Sequence, residues 1–394
     1  MHESYTKLLE HRYLKPVKIK NKEYYNRLIY ELEESLTSKI ILDFKHSSGI
    51  NKFITEIFQL LSHSITLYEL GYFDNAYYSI RSSIELATIM LDLSDKDDKS
   101  ININMNLFIN KKYKKFRTKI MQELSIEGNV FKEIMKDMPQ FKVDLEKFMK
   151  HINKIVHKTG FENFYCSQYY YSNDFHITKL EQFEKSLLKA IQILGIIRLS
   201  IDPLPLLLTD PEIYYRCPNF STIPFNKELL NIIGEKYLTE FKQTTEIKSM
   251  YKSLLKLEKR NQETNDFIIN NYINTEKIEN IFAQKDLIPE DNLKYLNIAN
   301  SSNKIIEIIS YNGFIHYWTN YCQHEKICNP LDYEYLTKLK KYINIPYDNI
   351  YVSLLNINKN LIPKKTLQII YVFHTKKLDK KEIKKLNNCI KTTV

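Results

Sequence analysis

The chain is 394 residues long and 43% hydrophobic, enough to bury sizeable cores and to divide into two or three domains. Only seven residues are glycine, and neither GxxxxGK nor GxGxxG occurs, so phosphate-cradling glycine loops are excluded; so are the GxSxG and HExxH sites of serine hydrolases and zinc proteases. Fifty-seven basic and 47 acidic residues leave a charge of +10, and thirteen lysines against Asp348, Asp379 and Glu382 between Lys338 and Val394 account for all of it.

The first residues, "MHESYTKLLEHRYLKP", lack the apolar core of a signal peptide, and residues 1–45 read as an N-terminal helical extension. From 46 to 200 the periodicity is helical. "NKFITEIFQLLSHSITLYELG" ends at Gly71, a suitable residue for closing a helix, and Asp74 is placed to cap the next one. That next segment, "NAYYSIRSSIELATIMLDL", sets Ala76, Ile80, Ile84, Ala87 and Leu91 in one apolar stripe, so the two form an αα-hairpin. The polar "SDKDDKSININ" reads as a loop, followed by helices over roughly 105–125, 129–158 and 175–200. Within the second of these, Phe141, Leu145, Phe148, Ile152 and Ile155 face inward. Glu146, Lys150, Asn153 and His157 share the opposite, polar side, and Gly160 ends the helix.

Five prolines between Pro203 and Pro224 interrupt "IDPLPLLLTDPEIYYRCPNFSTIPF", which reads as a strap over 201–225 packed on the helical domain. A charged helical connector follows over 226–300, through "NKELLNIIGEKYLTEF" and "EIKSMYKSLLKLEKRNQETNDFIINNYI". From about Asn303 the period changes. "KIIEIIS", "GFIHYWTNY", "NIYVSLLNI" and "TLQIIYVFH" read as strands, "LDYEYLTKLKKYI" and "DKKEIKKLNNCI" as helices. Residues 301–394 therefore form a small basic α+β domain. The fold class is mainly α, a helical bundle followed by further helices and that small domain.

The basic end makes RNA or another nucleic acid the expected partner, through Lys340, Lys341, Lys364, Lys365, Lys376, Lys377, Lys380, Lys381, Lys384 and Lys385. Its bland counterpart is a solvated lysine surface, enlarged by the codon bias that abundant Asn, Lys, Ile and Tyr beside seven arginines suggest. Lysine also lacks the bidentate fork of arginine. "CQHEKIC" gathers Cys322, His324 and Cys328, but no second ligand pair accompanies it, so a turn is expected and neither metal nor cofactor. Trp318 sits among aromatics and is assigned to core packing ahead of base stacking. Cys166, amid tyrosines, has no companion base. An odd cysteine count gives no disulfide framework, and the best apolar run, "LLKAIQILGIIRLSIDPLPLLL", is broken by Arg198, Asp202 and prolines. A cytoplasmic protein without membrane contact is the expectation.

"DNAYYSIRSSIELA", the later "HINKIVHKTG" and the trailing "DPLPLLLTDPEIYYR" together resemble the HEPN-like superfamily of prokaryotic all-α proteins, over about 46–225. The resemblance implies a metal-independent endoribonuclease of a stress, toxin–antitoxin or phage-defence system. It further implies a homodimer and an antitoxin or other defence-system partner protein. The family motif is Arg-Asn-x-x-x-His. Its histidine exchanges a proton with the attacking or leaving oxygen, its arginine neutralises phosphate charge, and its asparagine orients them. Here Asn153 and His157 match, whereas the arginine position holds Ile152 of the buried stripe. Arg81, with Glu85 one turn on, stands in as the cation, although the two also suit an ordinary helix-surface ion pair. A non-catalytic nucleic-acid-binding or partner-binding scaffold with a degenerate site is the alternative. Small-ligand sensing by the last domain is a third reading.

Overall fold

The structure, a computed structural model, describes residues 16–34, 44–165, 175–217, 222–310, 315–322, 343–347, 349–361 and 364–391. It is mainly helical with a six-stranded sheet near the C-terminus, and divides into two compact units, Met1–Leu257 and Glu258–Val394. Among the described residues no helix is long and apolar enough to cross a membrane.

In the first unit, α1 (Lys22–Glu34) buries Tyr25, Leu28, Ile29 and Leu32. The hairpin is formed by α2 (Phe44–Glu69) and α3 (Phe73–Asp92). Gly71 turns between them with φ 87°, a region that only glycine enters cheaply. The cap, however, is Tyr72 and not Asp74, which falls inside the first turn of α3. The α3 stripe is buried as its spacing requires. The polar stretch after it does not loop out. Asp97 caps α4 (Asp98–Ile109) by accepting from the Ser100 amide at 3.1 Å, so helix begins where charge density argued for loop. The carboxylate of Asp95 reaches across to accept the Val130 and Phe131 amides at 2.9 and 2.8 Å. It thereby supplies the missing acceptor for the start of another helix.

Next come α5 (Arg117–Glu127), α6 (Val130–Asp137) and α7 (Pro139–Val156). The single helix expected over 129–158 is broken because Pro139 opens α7 and offers no amide to continue α6. The long α8 (Phe175–Ile201) passes through the core; the strap after it holds α9 (Leu204–Leu207) and α10 (Pro211–Tyr214), with Leu204, Leu206, Leu207, Ile213 and Phe225 buried. Three short helices, α11 (Lys227–Ile233), α12 (Glu235–Lys242) and α13 (Thr245–Leu254), complete this unit. The connector expected over 226–300 is thus shared out. Leu229, Ile233 and Phe241 join the first core, Phe267, Ile281 and Leu296 the second.

The second unit is built on the order β1-β3-β2-β6-β5-β4. Its strands are β1 (Tyr272–Ile273), β2 (Ile305–Ser310), β3 (Ile315–Thr319), β4 (Ile345–Tyr347), β5 (Ile350–Leu361) and β6 (Lys364–His374). Among the described residues only β1 pairs parallel, with β3. Four strands fall where β-branched runs placed them; β1 and β4, two and three residues long, carry too little pattern to be read. Helices α14 (Gln262–Ile269), α15 (Ile278–Phe282), α16 (Glu290–Ala299) and α17 (Lys380–Lys391) belong with the sheet. The helix expected over "LDYEYLTKLKKYI" lies outside the described residues. Tyr317, stacked on Tyr295 at 4.8 Å, fills this core, while its neighbour Trp318 is partly exposed.

A capping box starts α17. Asp379 accepts the Glu382 amide at 2.8 Å and Glu382 accepts the Asp379 amide at 2.7 Å. Partial burial works against ionisation of Glu382, but Lys304, that amide and Ser302 outweigh it and hold the carboxyl at about 2, below its ordinary 4.5. Since the folded value is the lower one, the stability this group contributes is complete above pH 4.5 and drains away as pH falls towards 2. Glu382→Gln is therefore expected to destabilise the protein by about 1 kcal/mol at pH 7, with solvent screening allowed for, and hardly at all at pH 2. Equal losses at both values in denaturant titrations would refute the assignment.

Candidate active site

Two helices of the first unit meet at one polar groove of about 430 Å3, lined by Arg117 of α5, by Glu146, Lys150, Asn153 and Lys154 of α7, and by His157 and Thr159 just beyond. The buried stripe of α7 fixes which way that helix faces, so the polar column of the sequence points into the groove.

The end of α7 determines where the imidazole lies. His157 is the C-cap residue, and the next residue, Lys158, takes a left-handed φ of 55°. The Lys158 amide donates to the Ile155 carbonyl at 3.2 Å and the Thr159 amide to that of Lys154 at 2.8 Å, the two bonds of a Schellman turn. Glycine was expected to end this helix at 160; lysine does so two residues earlier, in a conformation costing a non-glycine residue about 1 kcal/mol. An ion pair offsets it. Lys158 reaches Asp74 in the first turn of α3, which ties the turn down beside that helix.

Two turns further along α3 stands Arg81. Its Nη1 lies 3.2 Å from His157 Nε2, although 76 residues separate them in sequence. Nη1 carries only hydrogens to give, so in this contact it donates and Nε2 accepts. The rest of the guanidinium is held by Glu85, at 2.9 Å from Nη2 and 3.1 Å from Nε, and lies over the Tyr78 ring at 5.9 Å. Arg81 is thereby aimed and one-fifth exposed, while His157 is open to solvent. Asn153 shares the groove, and its Oδ1 is buried without a hydrogen-bond partner. Ile152, in the place of the motif's arginine, is fully buried.

Arg81 thus touches both Glu85 and His157, and Asn153 lines the same groove as His157. Arg117, which sequence reasoning passed over, adds a second guanidinium. Burial lowers its pKa, Glu85 and Glu146 oppose that and Arg81 adds to it; an arginine so placed still carries its charge at neutral pH. Its signal was its rarity, being one of seven arginines in a chain rich in lysine. Along the groove Arg117, Lys150 and Lys154 outnumber Glu146, so it favours an anion beside the His157 imidazole.

The lysines form a separate feature. Lys376, Lys377, Lys380, Lys381, Lys384 and Lys385 are all exposed on or just before α17, whose Ile383, Leu386 and Cys389 face the core. Lys364 and Lys365 begin β6, and Lys340 and Lys341 lie outside the described residues. So do His324, Cys328 and Cys166; among the described residues no cluster of metal-ligating side chains occurs. No family model matches the chain, and neither any curated protein nor any solved structure matches it.

Proposed function

We infer that the protein is a HEPN-like, metal-independent endoribonuclease acting in prokaryotic stress or phage defence, with His157 as proton acceptor and Arg81 as the cation facing the scissile phosphate. The observation that carries this reading is the 3.2 Å approach of Arg81 to His157 Nε2 at the edge of a cationic groove. A phosphate entering the groove attracts the Arg81 guanidinium, which frees Nε2. The lone pair of Nε2 then takes the proton of the 2′-hydroxyl, and the 2′ oxygen attacks phosphorus. The bond to the 5′ oxygen breaks with its electron pair, and that oxygen is protonated from solvent. The products are a 2′,3′-cyclic phosphate and a 5′-hydroxyl end. Arg81 and Arg117 stabilise the charge that gathers on the non-bridging oxygens, and Asn153 orients the substrate or the imidazole.

The test uses the full chain, cellular RNA and a chelator. Cleavage leaving cyclic phosphate ends, absent in His157→Ala, supports the reading; equal cleavage by both proteins sinks it.

Nucleic-acid binding without turnover is favoured by a different observation, the six exposed lysines around α17. Exchanging Lys380, Lys381, Lys384 and Lys385 for glutamine is expected to weaken RNA binding and to flatten the dependence of log K on log salt by about 1 per lysine in contact. A slope that does not change places the contact elsewhere.

A further inference from the structure

Away from the groove, the corner between α12 and α13 closes against the strap and leaves a pocket of about 490 Å3. Its lining follows from helix geometry. Ile247 and Tyr251 are four residues apart on α13, as are Lys248 and Lys252, so an apolar column and a cationic column enter the same space side by side. Leu207 of α9 closes the apolar side, and Lys242 at the end of α12 adds a third ammonium group.

One carboxylate, Asp210, lines the pocket, and it is already engaged. One oxygen accepts the Tyr251 hydroxyl at 2.7 Å and the other the Glu212 amide at 3.0 Å as the cap of α10. The first bond sets the angle of the tyrosine ring. Among the described residues no ion pair occupies Lys242, Lys248 or Lys252. Three ammonium groups outside any ion pair, against one carboxylate, beside a fixed ring and two aliphatic side chains call for a ligand that is anionic at one end and flat and apolar at the other. The volume falls within the range of about 300–1,000 Å3 usual for small-molecule sites, which suits a mononucleotide better than a peptide.

We propose that this pocket binds a small phosphate-bearing ligand of mononucleotide size, with its ring against Tyr251 and Ile247 and its phosphate among Lys242, Lys248 and Lys252. Lysine serves here as a point charge for phosphate, a role that needs no planar fork. The assignment is independent of the groove at Arg81 and His157.

Isothermal titration of the full chain with adenosine 5′-monophosphate, adenosine and inorganic phosphate tests it. The nucleotide is expected to bind once per chain, at least about tenfold more tightly than adenosine or phosphate alone. The doubly substituted Lys248→Gln, Lys252→Gln protein is expected to lose about tenfold in affinity or more. Both lysines are exposed, so the exchange leaves the core intact. Arg81→Gln is expected to bind the nucleotide as the parent does. No binding at millimolar nucleotide overturns the proposal, as does inorganic phosphate binding as tightly as the nucleotide. Binding that ignores the lysine exchange, or that disappears with Arg81→Gln, overturns it as well.

Discussion

Arg81→Ala is expected to lower the rate of RNA cleavage by about 10²–10³-fold, the loss that follows removal of one preorganised partner of a developing oxyanion. His157→Ala is expected to cost about 10²–10⁴-fold, the contribution of a positioned base. Because the two groups act on one phosphate, the double variant should fall little below the poorer single one. Lysine at position 81 should recover only part of the loss, since its single ammonium cannot be held by Glu85 and face His157 as the fork does. Folding is not the confounding factor. The Arg81–Glu85 pair is a partly exposed i, i+4 contact worth about 0.3–0.5 kcal/mol, so melting curves should barely move. Arg81→Ala cleaving within twofold of the parent would remove this residue from the mechanism.

Asp92→Ala is expected to be among the most damaging single changes to stability, about 3–5 kcal/mol. Asp92 is fully buried at the end of α3, and its carboxylate is shared by Lys96 at 2.8 Å, Lys115 at 3.1 Å and the Tyr113 hydroxyl at 2.8 Å. Lys96 is itself buried. Burial opposes its charge, but Asp92 and Glu123 more than restore it and raise its pKa. Deleting the carboxylate leaves that ammonium with Glu123 at 3.0 Å and the more exposed Glu127 at 3.4 Å. A buried charge stripped of its nearest partner costs far more than the intact pair contributed. Adding Lys96→Met to Asp92→Leu should therefore recover part of the loss, as apolar packing replaces ions of similar volume. Denaturant titration measures both, and a single-variant loss below about 1 kcal/mol would show that the network is not what holds α3 and α5 together.

This network also shows where the sequence was readable and where it was not. The stripes of α3 and α7 were legible because many residues repeat one period, and burial follows from that repetition alone. "SDKDDKSININ" was misread because its charges looked solvated. Asp95 caps a helix 35 residues away, and Lys96 is neutralised by α5, which no local pattern can reveal. Lys158 ends α7 in place of the expected glycine because Asp74, distant in sequence, holds it there. At the groove, Asn153 and His157 were legible as one face of one helix. That Arg81 meets His157 depends on how α3 packs on α7, and Arg117 enters from a helix that carried no motif.

The cores bear on how such a chain is assembled over generations. Every residue of the first apolar cluster precedes position 255 and every residue of the other two follows position 266. Among the described residues, recombination between Leu254 and Phe267 would divide no hydrophobic cluster, so a gene could exchange the sheet-bearing unit for another module and leave the groove's residues together. The catalytic proposal and the lysine surface can therefore have separate ancestries, and the history of one half need not predict that of the other.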